Sequence, residues 1–265
     1  YGEDVLYTGG LSVRSSLDTA TQRIADLSLK SGLLEYDKRN GYRGVIDNNS
    51  NKNWFNQHIG KDQPHNFFLA KIIKLDELNG EVDIEVLNGK GIVQGSLLNF
   101  NWARKSLGKG YLGPKINNAN EVFNLNDIIH VSLNNGNFYN LEQIPKINGA
   151  IIVMDHHTGR VFALSGGFDF NESNFNRVYQ AKRQPGSSFK PFVYIAALEN
   201  GLQPNSLILD APFVLDQGKG RAKWKPENYG KKFYGPTPLR KGIENSRNLM
   251  TIRIAQYLGM NKVSE

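Results

Sequence analysis

Cysteine is missing from the 265 residues. That removes disulfides, thiolate nucleophiles and thiolate metal sites from consideration, and it leaves both reducing and oxidising compartments open. Long apolar runs are missing too: the longest, such as Ala150 to Met154 and Phe192 to Leu198, stop far short of the roughly 18 residues that a spanning helix needs. Nothing here is expected to cross a membrane, so any anchor would lie in a segment upstream of Tyr1. The chain has no initiator methionine and no charged stretch leading into an apolar core, and its start reads as a cut within a longer protein. Internal repeats and low-complexity tracts are absent as well. The adjacent histidines His156 and His157 sit in an expected hairpin turn, where neighbouring side chains should diverge, and they lack carboxylate companions. They read as an exposed turn, and neither a metal nor a cofactor is expected.

With 39% apolar and 22% charged residues the chain has ordinary globular composition, which excludes disorder. The formal charge of +7 favours an anionic partner. The basic residues are scattered, however, and the nearest cluster, Lys219 to Lys232, is interleaved with Pro, Gly and aromatics. It reads as a solvated surface, and no nucleic-acid partner is expected from it.

Along the chain, Leu11 and Val13 alternate within Leu6 to Leu17 and suggest a strand. Asp18 or Thr19 can then cap a helix through Ile24, Leu27 and Leu34 that ends near Gly32, and Tyr36 to Asn53 reads as a connector. From Phe67 the period changes to two. Phe67 to Leu75, a turn at Asn79-Gly80, and Val82, Ile84 and Val86 on one face form a hairpin. A second turn at Asn88-Gly89 leads into Ile92 to Phe100, and Asp127 to Leu133 and Phe138 to Ile144 complete five short strands. Such a set suggests a small barrel of the OB kind. Because such barrels often bind oligonucleotides, it also supports a rival reading as a basic interaction module, which salt-sensitive nucleic-acid binding by residues 60 to 147 would reveal. Ala150 to Met154 and Val161 to Leu164 form a hairpin that opens a new domain. Helical spacing then dominates: Phe189, Phe192, Val193 and Ala196 share a stripe ended by Gly201, and Leu249, Ile252, Ala255 and Leu258 share another ended by Gly259.

Chemistry concentrates in Gln184-Pro185-Gly186-Ser187-Ser188-Phe189-Lys190, a Ser-x-x-Lys at the start of a helix. Three residues make about one turn, so Ser187 and Lys190 share a face. Serine is a poor nucleophile until its proton is removed, and a lysine can remove it only when burial or a nearby cation keeps the amine neutral. The helix N-terminus favours negative charge developing on a substrate oxygen, and Pro191 is acceptable in the first turn. Ser106-Leu107-Gly108-Lys109 repeats the letters in a Gly-rich loop where no helix would align the pair. Downstream, Ser246-Arg247-Asn248 links a helix capped by Thr237-Pro238 to the helix beginning at Leu249. A short Ser-x-Asn link between helices can hold a hydroxyl that relays a proton and an amide that grips a substrate. Ser132-Leu133-Asn134 repeats that motif within an expected strand. Trp102, Arg104, Lys105, Lys109 and Tyr111 could stack on bases but read as a solvated loop or a protein-contact surface, and Ser165-Gly166-Gly167 reads as flexible backbone at the rim of the site.

Together these motifs resemble the bifunctional, class A penicillin-binding proteins, in which Ser-x-x-Lys is paired with a Ser-x-Asn type motif and a Lys-Thr-Gly. Arg183 to Pro191 looks like their active-serine segment, and Asn228-Tyr229-Gly230 through Tyr234-Gly235-Pro236 to Ser246-Arg247-Asn248 looks like their second motif with its approach. Leu6 to Leu11 with Ser15 to Asp18 is similar to the junction that follows the family's glycosyltransferase domain, and the expected barrel looks like the OB-type insertion of the 1a subgroup. The resemblance implies an α+β fold in three parts. Residues 1–48 form a junction strand and first helix, 49–147 an all-β OB-like insertion, and 148–265 the N-terminal part of a transpeptidase domain of the penicillin-binding-protein and β-lactamase type.

It further implies serine-type D-alanyl-D-alanine transpeptidase or carboxypeptidase activity on peptidoglycan stem peptides, outside the cytoplasmic membrane. Ser187 is the expected nucleophile, Lys190 its base, Ser246 the group that passes the proton to the leaving amine, and Asn248 the residue that orients the substrate amide. β-Lactam antibiotics would acylate the same serine, and protein partners would meet the insertion. The family's third motif should follow the second on an edge strand, yet no Lys-Thr/Ser-Gly follows Asn248 here. Lys30-Ser31-Gly32 matches the letters but precedes the nucleophile. These 265 residues alone are therefore expected to acylate poorly.

Overall fold

The computed structural model describes residues 2–48, 67–76, 80–88, 91–216, 218 and 220–264. Asn79 and Gly89 of the two expected turns, residues 49–53 of the expected connector and Lys219 of the basic stretch lie outside the described residues. The chain divides into two compact units, Tyr1–Lys182 and Arg183–Glu265.

In the first unit the strand expected around Leu11 and Val13 does not form: α1 (Glu3–Thr8) precedes them, and no regular element follows it until α2 (Thr19–Arg39). Leu11 and Val13 are both exposed, and two alternating residues without a paired neighbour cannot hold a strand. The expected cap is present: the Asp18 carboxylate accepts from Thr21 N at 2.7 Å. Gly32, expected to end α2, lies inside it. The helix continues because Leu33 and Asp37 beyond it are buried, and such packing outweighs the roughly 1 kcal/mol that a mid-helix glycine costs. Asp37 then fastens the end of α2, accepting from Arg43 Nη1 at 2.8 and 2.7 Å, Gln143 Nε2 at 2.7 Å and Lys146 N at 3.2 Å. Near its start, the Gln22 side-chain amide pairs with the backbone of Leu164 as a strand would, with Oε1 accepting from N at 2.9 Å and Nε2 donating to O at 3.1 Å. This docks α2 on the antiparallel pair β9 (Ile151–Met154) and β10 (Val161–Ser165), the expected hairpin.

The barrel also forms as expected. β2 (Phe68–Leu75), β3 (Val82–Leu87) and β4 (Ile92–Leu98) make an antiparallel meander. β8 (Phe138–Glu142) runs parallel to β4 and antiparallel to β7 (Asp127–Asn135), and β7 returns to β2 and closes the ring. Short pieces missed by sequence reasoning are β1 (Asp47–Asn48) beside β7 and the small pair β5 (Ser106–Gly108) and β6 (Tyr111–Leu112). Period two in β3 puts Val82, Ile84 and Val86 inside with Ala70, Ile72, Ile129, Val131 and Leu141, and Phe123 plugs the core. Gly95 is required by contact, because a Cβ there would meet the Asn137 carbonyl and the Tyr139 ring.

The second unit is helical around one strand pair. α3 (Lys190–Glu199), α4 (Leu239–Glu244), α5 (Asn248–Leu258) and α6 (Met260–Ser264) accompany β11 (Leu207–Asp210) and β12 (Gly235–Pro238). Val193, Tyr194, Ala196, Ala197, Leu239, Ile254 and Leu258 form its core. The expected α3 stripe splits, since Val193 and Ala196 are buried whereas Phe189 and Phe192 are exposed. A helix that is apolar all round has no single inward face for spacing to reveal. Gly201 ends α3 as expected, at a φ of 89°, with Leu202 N bonded to Ala197 O and Gly201 N to Leu198 O. Thr237-Pro238 supplies no side-chain cap to α4; the Thr237 hydroxyl donates to Gly235 O instead.

Ile84 lies at the centre of the barrel with no exposed surface. Ile84→Ala should lower unfolding free energy by about 2–5 kcal/mol, read as a shift in urea midpoint without a change in slope.

Candidate active site

Ser187 belongs to the 3₁₀ turn Gly186–Phe189 that leads into α3, and Lys190 is the first residue of that helix. Pro191 occupies the first turn, as expected. Ser187 makes no capping hydrogen bond and is exposed, whereas Lys190 keeps only 8% of its surface. Burial holds the Lys190 ammonium pKa below the ordinary lysine value.

The Lys190 amine is surrounded by oxygen. Nζ lies 2.6 Å from the Ser246 carbonyl, 2.9 Å from Ser246 Oγ and 2.7 Å from Asn248 Oδ1. Ser246 Oγ is in turn 3.2 Å from Ser187 Oγ. The four residues expected to form the site are therefore together, but the connection differs from the expected one. No direct hydrogen bond joins Lys190 to Ser187; the Ser246 hydroxyl stands between them. Because a carbonyl and an amide oxygen can only accept, a neutral Lys190 would give its two N–H groups to those atoms and turn its lone pair toward the Ser246 O–H.

The link bearing Ser246 has a particular backbone. Arg247 N bonds to Gly242 O at 2.8 Å and Ser246 N to Ile243 O at 3.0 Å, so Ser246 fills the position after α4 where the chain turns left-handed and glycine is preferred. Its φ is 50°. A side chain there costs about 1–2 kcal/mol, and strain of this kind persists where the surroundings enforce it. The enforcement here comes from both sides: Lys190 grips the hydroxyl and carbonyl, and the Arg247 guanidinium lies 3.6 Å from the centroid of the Tyr234 ring.

Asn248 starts α5. Its Oδ1 accepts from Lys190 and its Nδ2 donates to Glu227 O at 2.8 Å, leaving one N–H of the side-chain amide uncommitted. Asn228, quoted above only as part of an approach, contacts the start of α5 in a way the sequence reading missed. Its Oδ1 accepts from Asn248 N at 2.9 Å and Leu249 N at 3.3 Å and so caps α5 from a distance. No local spacing signals a cap supplied from 20 residues upstream.

The competing motifs scatter. Ser106 lies on β5, a strand rather than the expected loop, and Ser132 donates from β7 to Glu142 Oε1 at 2.9 Å; Lys30-Ser31-Gly32 lies within α2. Trp102 packs edge-on against Tyr42, and Arg104 bonds the carbonyls of Gly113 and Pro114, so these two are not displayed with exposed Lys105, Lys109 and Tyr111. His156 and His157 do not diverge: their ring centroids are 3.7 Å apart, because the turn lacks the alternation of a strand. Gly166 marks close packing rather than flexibility, since a Cβ there would collide with Asn176.

The chain thus joins a closed five-stranded barrel to a helical unit in which a Ser-x-x-Lys meets a Ser-x-Asn. Comparisons with known proteins give its family. The family described as "Penicillin-binding protein OB-like domain" matches residues 42–147, and "Penicillin binding protein transpeptidase domain" matches residues 149–265. The chain is 40% identical over 263 residues to Penicillin-binding protein 1A of Rickettsia conorii, covering 98% of this chain and 32% of that protein. It is 36% identical over 267 residues to Penicillin-binding protein 1A of Pseudomonas aeruginosa, covering 99% and 32%. The crystal structure of Penicillin-Binding Protein 1A from Haemophilus influenzae matches with a TM-score of 0.78 at 28% identity, over 100% of this chain and 38% of that one. The chain thus spans about a third of the length of these curated relatives, and it belongs to the penicillin-binding proteins. Its α+β fold is part of their transpeptidase domain together with the OB-like barrel.

Ser246→Gly and Ser246→Ala both delete the hydroxyl and differ only in the Cβ. The glycine variant should be more stable by about 1 kcal/mol, measured by urea unfolding. Equal stability would contradict the strain assigned to φ at this position.

Proposed function

We propose that Ser187 is the nucleophile of a peptidoglycan D-alanyl-D-alanine transpeptidase. The observation that supports this most is the continuous path from Ser187 Oγ through Ser246 Oγ to the buried Lys190 amine. Ser187 Oγ attacks the penultimate D-Ala carbonyl carbon of a stem peptide. As the C–O bond forms, its proton passes to Ser246 Oγ while the Ser246 proton passes to Lys190 Nζ. Collapse of the tetrahedral intermediate breaks the C–N bond, and the proton taken up by Lys190 Nζ returns to Ser246 Oγ as Ser246 passes its own proton to the leaving amine nitrogen of terminal D-Ala. An amine of a second stem then resolves the acyl-enzyme, and water in its place gives carboxypeptidase activity. The remaining Asn248 amide N–H orients the substrate amide. A β-lactam acylates Ser187 by the same route and stays bound.

Lys190 serves as base because burial depresses its pKa. Only the neutral amine accepts a proton, so acylation is slow below that pKa and rises to a plateau above it, with a midpoint below the roughly 10.4 of an ordinary lysine. Among the described residues no helix is long and apolar enough to cross a membrane. The reading nevertheless places the activity at the outer face of the cytoplasmic membrane, where cross-linking substrates lie, with anchoring and any glycosyltransferase activity belonging to the whole protein.

The test is labelling by a fluorescent penicillin. In the full-length protein Ser187→Ala should abolish labelling, and Ser246→Ala should slow acylation about 10²–10⁴-fold. Undiminished labelling of Ser187→Ala would refute the assignment. The 265 residues alone, which carry no Lys-Thr/Ser-Gly after Asn248, should label at a rate lower by at least about 10²–10³, the usual effect of losing one oxyanion donor. Stoichiometric, rapid labelling of that piece would show that these residues suffice.

A further inference from the structure

We infer that Asn228, held by the buried Asp210, is a positioning residue that fixes where Asn248 sits and therefore where the Lys190 amine points. The inference rests on the reading of Ser187, Lys190 and Ser246 given above. Asn228 is 3% exposed, and every hydrogen-bonding capacity of its side chain is used. Nδ2 donates to Asp210 Oδ1 at 2.7 Å and to Lys232 O at 2.9 Å; Oδ1 accepts from Asn248 N at 2.9 Å and Leu249 N at 3.3 Å. Two donors and two acceptors at the end of a one-carbon stem describe asparagine alone. Aspartate has no donors, serine and threonine have one, and glutamine is longer by a methylene.

Orientation follows from partners that cannot reverse. A carboxylate and a carbonyl only accept, so Asp210 and Lys232 O must face Nδ2, which leaves Oδ1 toward the first amides of α5. The adjacent residue completes the grip, because Glu227 O accepts from Asn248 Nδ2 and turns Asn248 Oδ1 toward Lys190. Residues 227 and 228 thus hold Asn248 by its main chain and its side chain at once. Asp210 is itself immobile: it has no exposed surface and pairs with Gly235 in the β11–β12 ladder. Its Oδ2 has no hydrogen-bond partner among the described residues. A buried carboxylate with so few donors destabilises a fold relative to an apolar side chain, so stability does not account for it. Fixing the orientation of Asn228 does.

The test uses the full-length protein and a fluorescent penicillin. Asn228→Asp changes one NH₂ to oxygen, removes both donors and sets a second carboxylate against Asp210. The acylation rate constant should fall about 100-fold, the effect of misplacing a reacting group by about an ångström, with little change in the dissociation constant of the non-covalent complex. Asn228→Asp combined with Asp210→Asn restores a donor facing an acceptor at one of the two contacts, while Lys232 O is left without a donor, so it should recover part of the rate. If Asn228→Asp does not fold, Asp210→Leu serves instead: it removes a carboxylate that is itself costly to bury, leaves one Asn228 N–H without its acceptor, and should slow acylation several-fold in the folded protein. Rates within threefold of the unaltered protein, a loss carried by the dissociation constant rather than by the rate constant, or a loss that merely follows the folded fraction and is not recovered in part by the exchange would overturn the inference. Labelling that survives Ser187→Ala would instead overturn the nucleophile assignment on which it rests, and that control is independent of every variant at 210 and 228.

Discussion

Most of what this site does depends on a lysine amine taken out of water and surrounded by oxygen atoms. Lys190 starts a helix whose next turn supplies Val193, Ala196 and Ala197 to the core, so its side chain is carried inward with them. Desolvating an ammonium costs free energy, and the contacts to Ser246 and Asn248 offset part of that cost. The part not offset is what lowers the pKa. Packing of α3 against α4 and α5 therefore serves two ends: it closes the hydrophobic core and lowers the proton affinity of the Lys190 amine. Loosening that packing would return water to the amine and with it an ordinary pKa.

The oxygens around Lys190 come from residues that the local backbone would not choose unaided. Ser246 occupies a left-handed position suited to glycine, and the first amides of α5 are capped by Asn228 rather than by a neighbouring side chain. Strain at one end of the link and a distant cap at the other leave Ser246-Arg247-Asn248 little freedom. The proton path proposed above, whose oxygens must stay about 3 Å apart, would need that rigidity more than extra stability.

The barrel was legible in the sequence because period two survives from strand to strand. Val82, Ile84 and Val86 alternate cleanly, and those residues are the core. The helices were less legible at their ends and faces. Gly32 looked like a stop but lies within α2, since burial of Leu33 and Asp37 beyond it decided the matter. Phe189 and Phe192 looked like core residues because spacing cannot choose a face on a helix that is apolar all round. Two-letter motifs such as Ser132-x-Asn134 showed the same limit, matching the letters on a strand with no partner residue in place.

What the sequence determined by itself was the set of local preferences: the strand period, the Asp18 cap, the glycine after α3, and the placement of Ser187 one turn ahead of Lys190. These follow from interactions among residues a few positions apart, which a linear string records. Tertiary structure alone decided that the Ser246 hydroxyl would stand between Ser187 and Lys190, that burial would lower the Lys190 pKa, and that Asn228 would cap a helix 20 residues away. Desolvation and long-range hydrogen bonding depend on which surfaces the folded chain brings together, and no spacing along the sequence encodes them.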